Sequence, residues 1–196
     1  MPRVSREQTE KNRIAIEAAA SRLFREQGFK AVSVADLMAA AGLTHGGFYG
    51  HFASKEALVS LTCRQAYAQS QDRWDGHVAG LADRALARRA IIDSYLSPAS
   101  AAAPGKGCPA VALAGDVART PADADVRTAY LAGLNGLIDT LTHLSAEPEA
   151  LARRRQALVE MAAMVGAVTL ARATQGQPIA ADVLDAVRQL LLKDGA

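Results

Sequence analysis

Ten residues in one short stretch carry the most pointed chemistry of this chain: Thr44-His45-Gly46-Gly47-Phe48-Tyr49-Gly50-His51-Phe52, then Lys55. Phe48 and Phe52 are four apart, so on a helix both can face a core. That turns Thr44, His45, Gly46, Gly47 and Tyr49 outward. A hydroxyl, an imidazole and a phenol beside two residues without side chains make a polar, uncharged face of low profile, and basic residues stand next to it. Such a face suits insertion into a DNA groove. An ordinary helical hairpin with a solvated face has the same spacing.

Cys108 is the other distinctive residue. It follows a Gly-containing stretch with Lys106 and precedes Pro109, at a predicted helix start. A helix N-terminus and a nearby ammonium each lower a thiol pKa, and the thiolate is the reactive form. Two readings follow: a small residue buried at a helix start, which the spacing favours, or a thiol that senses oxidants or electrophiles such as quinones or aldehydes. Cys63 falls inside a helix and reads as core. Two cysteines make neither a disulfide framework nor a four-cysteine zinc site. His45, His51, His77 and His143 add no metal-ligand pattern. A phosphate-binding Gly-rich loop, a nucleophile elbow and an HExxH motif are all missing from the sequence. No metal, no cofactor and no enzyme activity are expected.

Helices must position these groups. The spacing predicts a first helix from about Glu7 to Gln27, with Ile16, Ala20, Leu23 and Phe24 on one stripe and Gly28 as its stop. Ser33 with Asp36 predicts a capped second helix, whose Val34, Leu37, Met38 and Ala41 share a face and which Gly42 ends. Thr44 then caps a short third helix, His45 to about His51, and Ser54 caps a fourth that runs to about Asp75 and ends at Gly76. Two short helices joined by a turn containing Gly42 form a helix-turn-helix pattern. Further helices are expected at about Leu81–Leu96, Pro109–Ala118, Pro121 to His143, Glu149–Thr174 and Ile179–Lys193. Ser97–Gly107 reads as a loop. No repeat and no convincing strand is found.

Composition agrees. The chain of 196 residues has 43 alanines and 21 leucines against only 28 valines, isoleucines and threonines together, which favours helix over sheet. Half of it is hydrophobic and the net charge is +2, so it is no disordered tail. Residues 1–60 hold 8 Lys/Arg and 6 Asp/Glu, and the remainder holds 14 of each, so the whole excess is N-terminal. The start, MPRVSREQTEKNR, has no apolar core of a signal peptide. The longest uncharged apolar run, Met161–Ala171, is about half of the roughly 20 residues a membrane span needs. A soluble cytoplasmic protein without a membrane partner is expected.

The stretch Ile16–Leu58, with EAAASRLFREQGF, SVADLMAAAGLTHGGFYGHF and ASKEAL, resembles the DNA-binding domain of the tetracycline-repressor (TetR) family of transcriptional regulators. It covers about a quarter of the chain and joins four correctly spaced signatures: the LF…G end of helix one, the AAG turn, FYxHF and SKEAL. GCPAVALAGDVAR and MVGAVTLARA are similar to segments of some members. The resemblance implies an all-α fold of about nine helices: a three-helix domain with a helix-turn-helix at 1–53 and a ligand-binding and dimerisation domain at 54–196. It implies no catalysis.

The same resemblance implies roles. Thr44, His45, Gly46 and Gly47 would meet base edges; hydroxyl and neutral imidazole can each serve donor or acceptor edges. The glycines cost the helix about 1 kcal/mol each relative to alanine, in return for close backbone approach to DNA or simply for a tight turn. Tyr49, His51 and Lys55 would hold phosphates, with Ser33 as a further contact; capping alone explains Ser33, and an internal hydrogen bond would explain His51. Family members usually have a larger residue at Gly50. The implied partners are double-stranded DNA with a palindromic operator, a second copy of the chain and a small-molecule inducer, apolar or electrophilic. The interface would use Ala163, Gly166, Ala167 and Ala171 with the stripe Ile179, Val183, Leu184, Val187, Leu190 and Leu191, unless both face their own core. Arg153–Arg155 reads as a solvated face. An apolar pocket with few polar handles would be lined by Tyr67, Trp74, Tyr95, Cys108, Leu113, Tyr130, Leu134, Met161 and Met164, and in some relatives a cysteine placed like Cys108 acts as the sensor. A helical adaptor without specific DNA binding, and an activator of the same fold, are the contrasting readings.

Overall fold

The computed structural model describes residues 6–193. Residues 1–5, where the expected leaderless start begins, and residues 194–196 lie outside the described residues.

Helix α1 (Arg6–Gln27) buries Ile16, Ala20, Leu23 and Phe24, the stripe read from the spacing. Its outer face carries three pairs at i,i+4: Lys11–Glu7 at 2.7 Å, Arg13–Glu17 at 3.0 Å and Arg22–Glu26 at 2.8 Å. Gly28 follows, and a Cβ there would lie 2.6 Å from Oδ2 of Asp116, so the chain turns where a later helix presses on it. Helix α2 (Val34–Ala40) starts from a full capping box: the Asp36 amide donates to Ser33 Oγ at 3.1 Å and the Ser33 amide donates to Asp36 Oδ2 at 2.8 Å. It ends with the Leu43 amide donating to Met38 O at 2.8 Å and the Gly42 amide donating to Ala39 O at 3.0 Å. That pairing needs a left-handed residue, and Gly42 supplies it at φ +70. This fixes the angle at which the next segment leaves.

That segment is not the expected α-helix. His45–Gly50 is a 3₁₀ turn, because glycine at 46, 47 and 50 gives an α-helix little to gain. Thr44 stands at its N-cap position, yet its hydroxyl makes no cap bond. Helix α3 (Lys55–Val78) is capped by Ser54, whose Oγ accepts from the Ala57 amide at 3.0 Å. It runs straight through Gly76, contrary to the predicted stop; the turn comes at Gly80 instead.

Helix α4 (Arg84–Tyr95) is capped by Asp83, which accepts from Ala85 at 2.7 Å. The expected loop at 97–107 is largely ordered as a short helix α5 (Pro98–Ala102) and a 3₁₀ turn, Pro104–Lys106. Gly105 and Gly107 are buried there. A Cβ on Gly105 would stand 2.5 Å from Glu26 Oε1, and one on Gly107 would collide with the Arg172 guanidinium. These glycines let the segment lodge against both α1 and the long helix that carries Arg172. Helices α6 (Pro109–Ala118), α7 (Asp125–Leu144), α8 (Ala150–Ala173) and α9 (Pro178–Lys193) complete the chain close to the predicted bounds.

The described residues thus form nine α-helices and two 3₁₀ turns, with no strand. The first two helices and the recognition turn make a head around Leu37, Met38, Phe48 and Phe52. Helix α3 leads from that head into the body, where it packs along α7; α7 packs on α8, and α8 on α9. Ile91, Ile92, Leu137, Leu141 and Met164 fill the body's centre. A buried ion pair ties three helices together: Arg88 on α4 donates to Glu160 on α8 at 2.6 Å and to the carbonyl of Leu191 on α9 at 2.9 Å. By length and hydropathy α8 is the one described helix that reaches the dimensions of a membrane span, and here its buried face packs on α7 and α9.

Candidate nucleic-acid interface and regulatory cavity

Phe48 is fully buried and packs on Phe52 with ring centroids 5.6 Å apart. Arg13 of α1 lies over the Phe52 ring at 5.5 Å. Two anchored aromatics therefore hold a six-residue turn that is too short to hold itself. The other side of the turn is open: Thr44, His45, Gly46, Gly47, Tyr49 and Gly50 are all exposed, Tyr49 to 69%. This is the face that the Phe48/Phe52 spacing predicts. Tyr49 sets its ring edge-on against Phe48 at 5.3 Å, which leaves the phenol outward.

The glycines of the turn can now be weighed. None has a left-handed backbone. A Cβ on Gly46 or Gly50 would meet nothing within 4 Å, and one on Gly47 would meet only the Met38 methyl at 3.4 Å. Neither the local backbone nor internal packing demands glycine at 46 or 50.

Around the turn stand the expected phosphate donors. Lys55 opens α3, and among the described residues it forms no ion pair; its charge, after the Ser33 contacts, helps to lower the Asp36 pKa. His51 is half-buried, tilts against Phe52 at 6.4 Å, and makes no hydrogen bond from its imidazole among the described residues, so the internal bond that would explain it is not there. Ser33 differs. Its hydroxyl donates to Asp36 Oδ2 at 2.6 Å while accepting from the Asp36 amide, so the cap uses the donor that a phosphate would need.

Of the nine residues expected to line an apolar pocket, three come together. Trp74, Tyr95 and Cys108 border a cavity of about 290 Å3 between α3, α4 and the Ser97–Cys108 segment. Tyr67, Leu113, Met161 and Met164 are 0–3% exposed core residues. Tyr130 and Leu134 border a separate surface groove, and the Tyr130 hydroxyl donates to Ala110 O at 3.1 Å. The wall of this cavity is mixed in chemistry. Ser70, Arg73, His77, Ser94, Ser97 and Lys106 share its wall. Large apolar and aromatic side chains on these helices mostly fill the core; the cavity lies where polar side chains line the helices.

Cys108 lacks the lowered thiol pKa that its sensor reading needs. Burial pushes its thiol up, outweighing the Tyr95 hydroxyl and the Ala110 and Val111 amides that favour the thiolate. The thiol is therefore neutral near pH 7. Burial likewise pushes Cys63 up to about 12 and holds the Tyr95 phenol well above its usual range.

In the last two helices, Ala167, Ala171, Leu184 and Leu191 are buried in their own chain, so Ala167 is core rather than interface. Ala163, Gly166, Val183 and Val187 are half-buried, and Leu190 is 59% exposed. Val159 at 61% and Leu170 at 54% extend the α8 stripe, and Ile179 at 53% extends that of α9. Sequence reasoning passed over Val159 and Leu170, although both lie at helical spacing from Ala163 and Gly166. Of the arginine run, Arg153 donates to the carbonyls of Glu147 and Pro148, and Arg154 pairs with Asp139 at 2.7 Å.

Residues 16–61 match the family model described as "Bacterial regulatory proteins, tetR family". The chain is 36% identical over 77 residues to the HTH-type transcriptional repressor KstR2 of Rhodococcus jostii, covering 39% of this chain and 38% of that one. It is 36% identical over 52 residues to the HTH-type transcriptional regulator YerO of Bacillus subtilis, covering 26% and 18%. Each match thus spans well under half of the curated relative. A solved TetR transcriptional regulator from Chloroflexus aurantiacus is 27% identical with a TM-score of 0.78, and the likeness covers 95% of both chains. The head thus matches the tetR family model in sequence, and the whole chain shares the fold of a solved TetR transcriptional regulator.

Proposed function

We propose that the chain is a cytoplasmic transcriptional repressor that binds double-stranded DNA as a homodimer and lets go when a small molecule enters its C-terminal domain. The observation that carries DNA reading is the recognition turn. Two buried phenylalanines fix it, its outer face is fully open, and Gly46 and Gly50 have no use inside the chain. Thr44 and His45 face base edges, Gly46 and Gly47 admit the backbone to the groove, and Tyr49, His51 and Lys55 donate to phosphates. The repressor sense follows from the likeness to KstR2, a transcriptional repressor.

One such turn is small, and a palindrome doubles it. The stripe Val159, Ala163, Gly166 and Leu170 on α8, beside Ile179, Val183, Val187 and Leu190 on α9, supports pairing two copies into a four-helix interface. The small residues allow close approach.

The test is a gel shift of the full chain on DNA from upstream of its own gene, over a salt series. Specific binding must weaken steeply with salt as counterions are released, and light scattering must give twice the chain mass. A chain that shifts no DNA at any salt is not this regulator.

A further inference from the structure

Cations gather around the cavity beside Cys108, and no carboxylate meets them. Arg73 and Lys106 stand in its wall. Arg25 lies behind Gly107, and Arg172 behind Ser100 and Ala101. Among the described residues none of the four forms an ion pair. Arg25 donates only to Ser21 and to the Gly107 carbonyl. Arg172 donates only to the carbonyls of Ala101 and Ser100, and Arg73 to the Ser70 hydroxyl at 2.9 Å. Glu26, beside Gly105 and next to Arg25 in sequence, acts on the Arg25 charge from a distance but is engaged with Arg22 at 2.8 Å. By contrast Arg13, Arg22, Arg88, Arg119 and Arg154 all have a carboxylate. Burial and the charge of Arg73 both push Arg25 away from its charged form.

A partly desolvated group of like charges is unfavourable until an opposite charge joins it. A second, independent sign points the same way. Tyr95, 6% exposed and part of the same wall, has a hydroxyl that lies beside the Cys108 thiol, a weak acceptor, and makes no hydrogen bond to an oxygen or nitrogen among the described residues. Buried hydroxyls are ordinarily satisfied, so this one has a donor to give. Trp74 packs on Tyr95 with ring centroids 6.2 Å apart, forming an apolar, aromatic side to the cavity.

We propose that this cavity binds a small organic anion, its carboxylate or similar head taken by Arg73 and Lys106 and its apolar body laid against Trp74 and Tyr95. The ligand class is thus anionic rather than purely apolar. The proposal names the inducer chemistry of the repressor reading and rests on it only for the consequence at DNA.

Trp74 is the only tryptophan of the chain, so its emission reports on the cavity alone. Titrate the full chain with benzoate, phenylacetate and octanoate, and with the neutral phenylacetamide. At least one carboxylate must change Trp74 emission saturably, and phenylacetate must bind at least tenfold more tightly than its amide. The double variant Arg73→Gln, Lys106→Gln alters two exposed side chains, keeps its helical circular dichroism, and must lose that preference about tenfold. No response to any of the three carboxylates, equal binding of acid and amide, or an unaltered double variant would each overturn the anionic site. The gel shift is read separately. If a carboxylate binds and DNA stays bound, the site stands and ligand release fails; if DNA is bound and no carboxylate moves Trp74, the site fails and DNA binding stands.

Discussion

Arg25, in the last turn of α1, donates from Nη1 to the carbonyl oxygen of Gly107 at 3.2 Å, across 82 residues of chain. One guanidinium therefore joins the helix that anchors the DNA-reading head to the segment that walls the cavity. Its Nε and Nη2 donate to the Ser21 carbonyl and hydroxyl, so a shift of Gly107 pulls on α1. An effector acts only through a difference in binding between two states, and in the proposed ligand-released repressor this contact would carry such a difference to the head.

Arg25→Lys keeps the charge and loses the planar fork. We expect a stability loss of about 1–3 kcal/mol in urea, from the unsatisfied buried groups. DNA affinity without ligand should stay within a few-fold, while release by ligand weakens. Equal release in variant and wild type would show that the contact carries no coupling.

Gly46→Ala separates folding from reading. Its Cβ meets nothing within 4 Å, and its backbone is not left-handed. Stability should hold or rise by up to about 1 kcal/mol. DNA affinity should fall, because the methyl group enters the space between backbone and groove. Chemical denaturation and gel shift on the same sample check both halves.

Glu160→Gln leaves Arg88 charged, buried and unpaired, since the two side chains are only 8% and 3% exposed. The expected loss is about 3–5 kcal/mol. The double variant Arg88→Met, Glu160→Leu should recover most of it. A single variant as stable as wild type would mean that the pair is structurally idle.

Stability should fall in alkali. Burial raises Cys63 from about 9 to about 12 and also raises Cys108, Tyr67 and Tyr95. A raised pKa means the folded state keeps a proton that the unfolded state releases. Stability is therefore fully present below the ordinary thiol value and is lost as pH climbs above it. Each group contributes a slope of up to about 1.4 kcal/mol per pH unit inside its window. Urea midpoints should be level from neutrality to about pH 8.5 and drop beyond it, less so in Cys63→Ala. The same shift predicts slow alkylation of Cys108 at pH 7, with the rate rising tenfold per pH unit.

The head was legible because its signals are local. Ser33 and Asp36 are three apart, Phe48 and Phe52 four apart, and Gly42 sits where α2 must turn, so neighbours in sequence settle one another. The recognition turn was read one class too regular, as α rather than 3₁₀, since spacing alone does not weigh three glycines in six residues. The cavity was not legible. Arg88 and Glu160 are 72 residues apart, and Arg25 and Gly107 are 82 apart. Ser97–Gly107 looked like a loop because its glycines mark close packing against Glu26 and Arg172, which lie far off in sequence. One signal was present: Arg25, Arg73 and Arg172 have no acid three or four residues away, whereas Lys11, Arg13 and Arg22 each do. Cations without a helical partner mark where charge was left for something else.

The open stripe along α8 and α9 has a consequence for gene control. In the proposed homodimer the apolar side chains left bare there are covered by a second copy, so this patch contributes to pairing strength. Below the concentration at which copies pair, doubling the amount of chain quadruples the amount of dimer. Occupancy of a two-half-site operator then rises with the square of expression. A cell holding this protein near that threshold would turn a modest change in synthesis into a sharp change in transcription, before any ligand arrives.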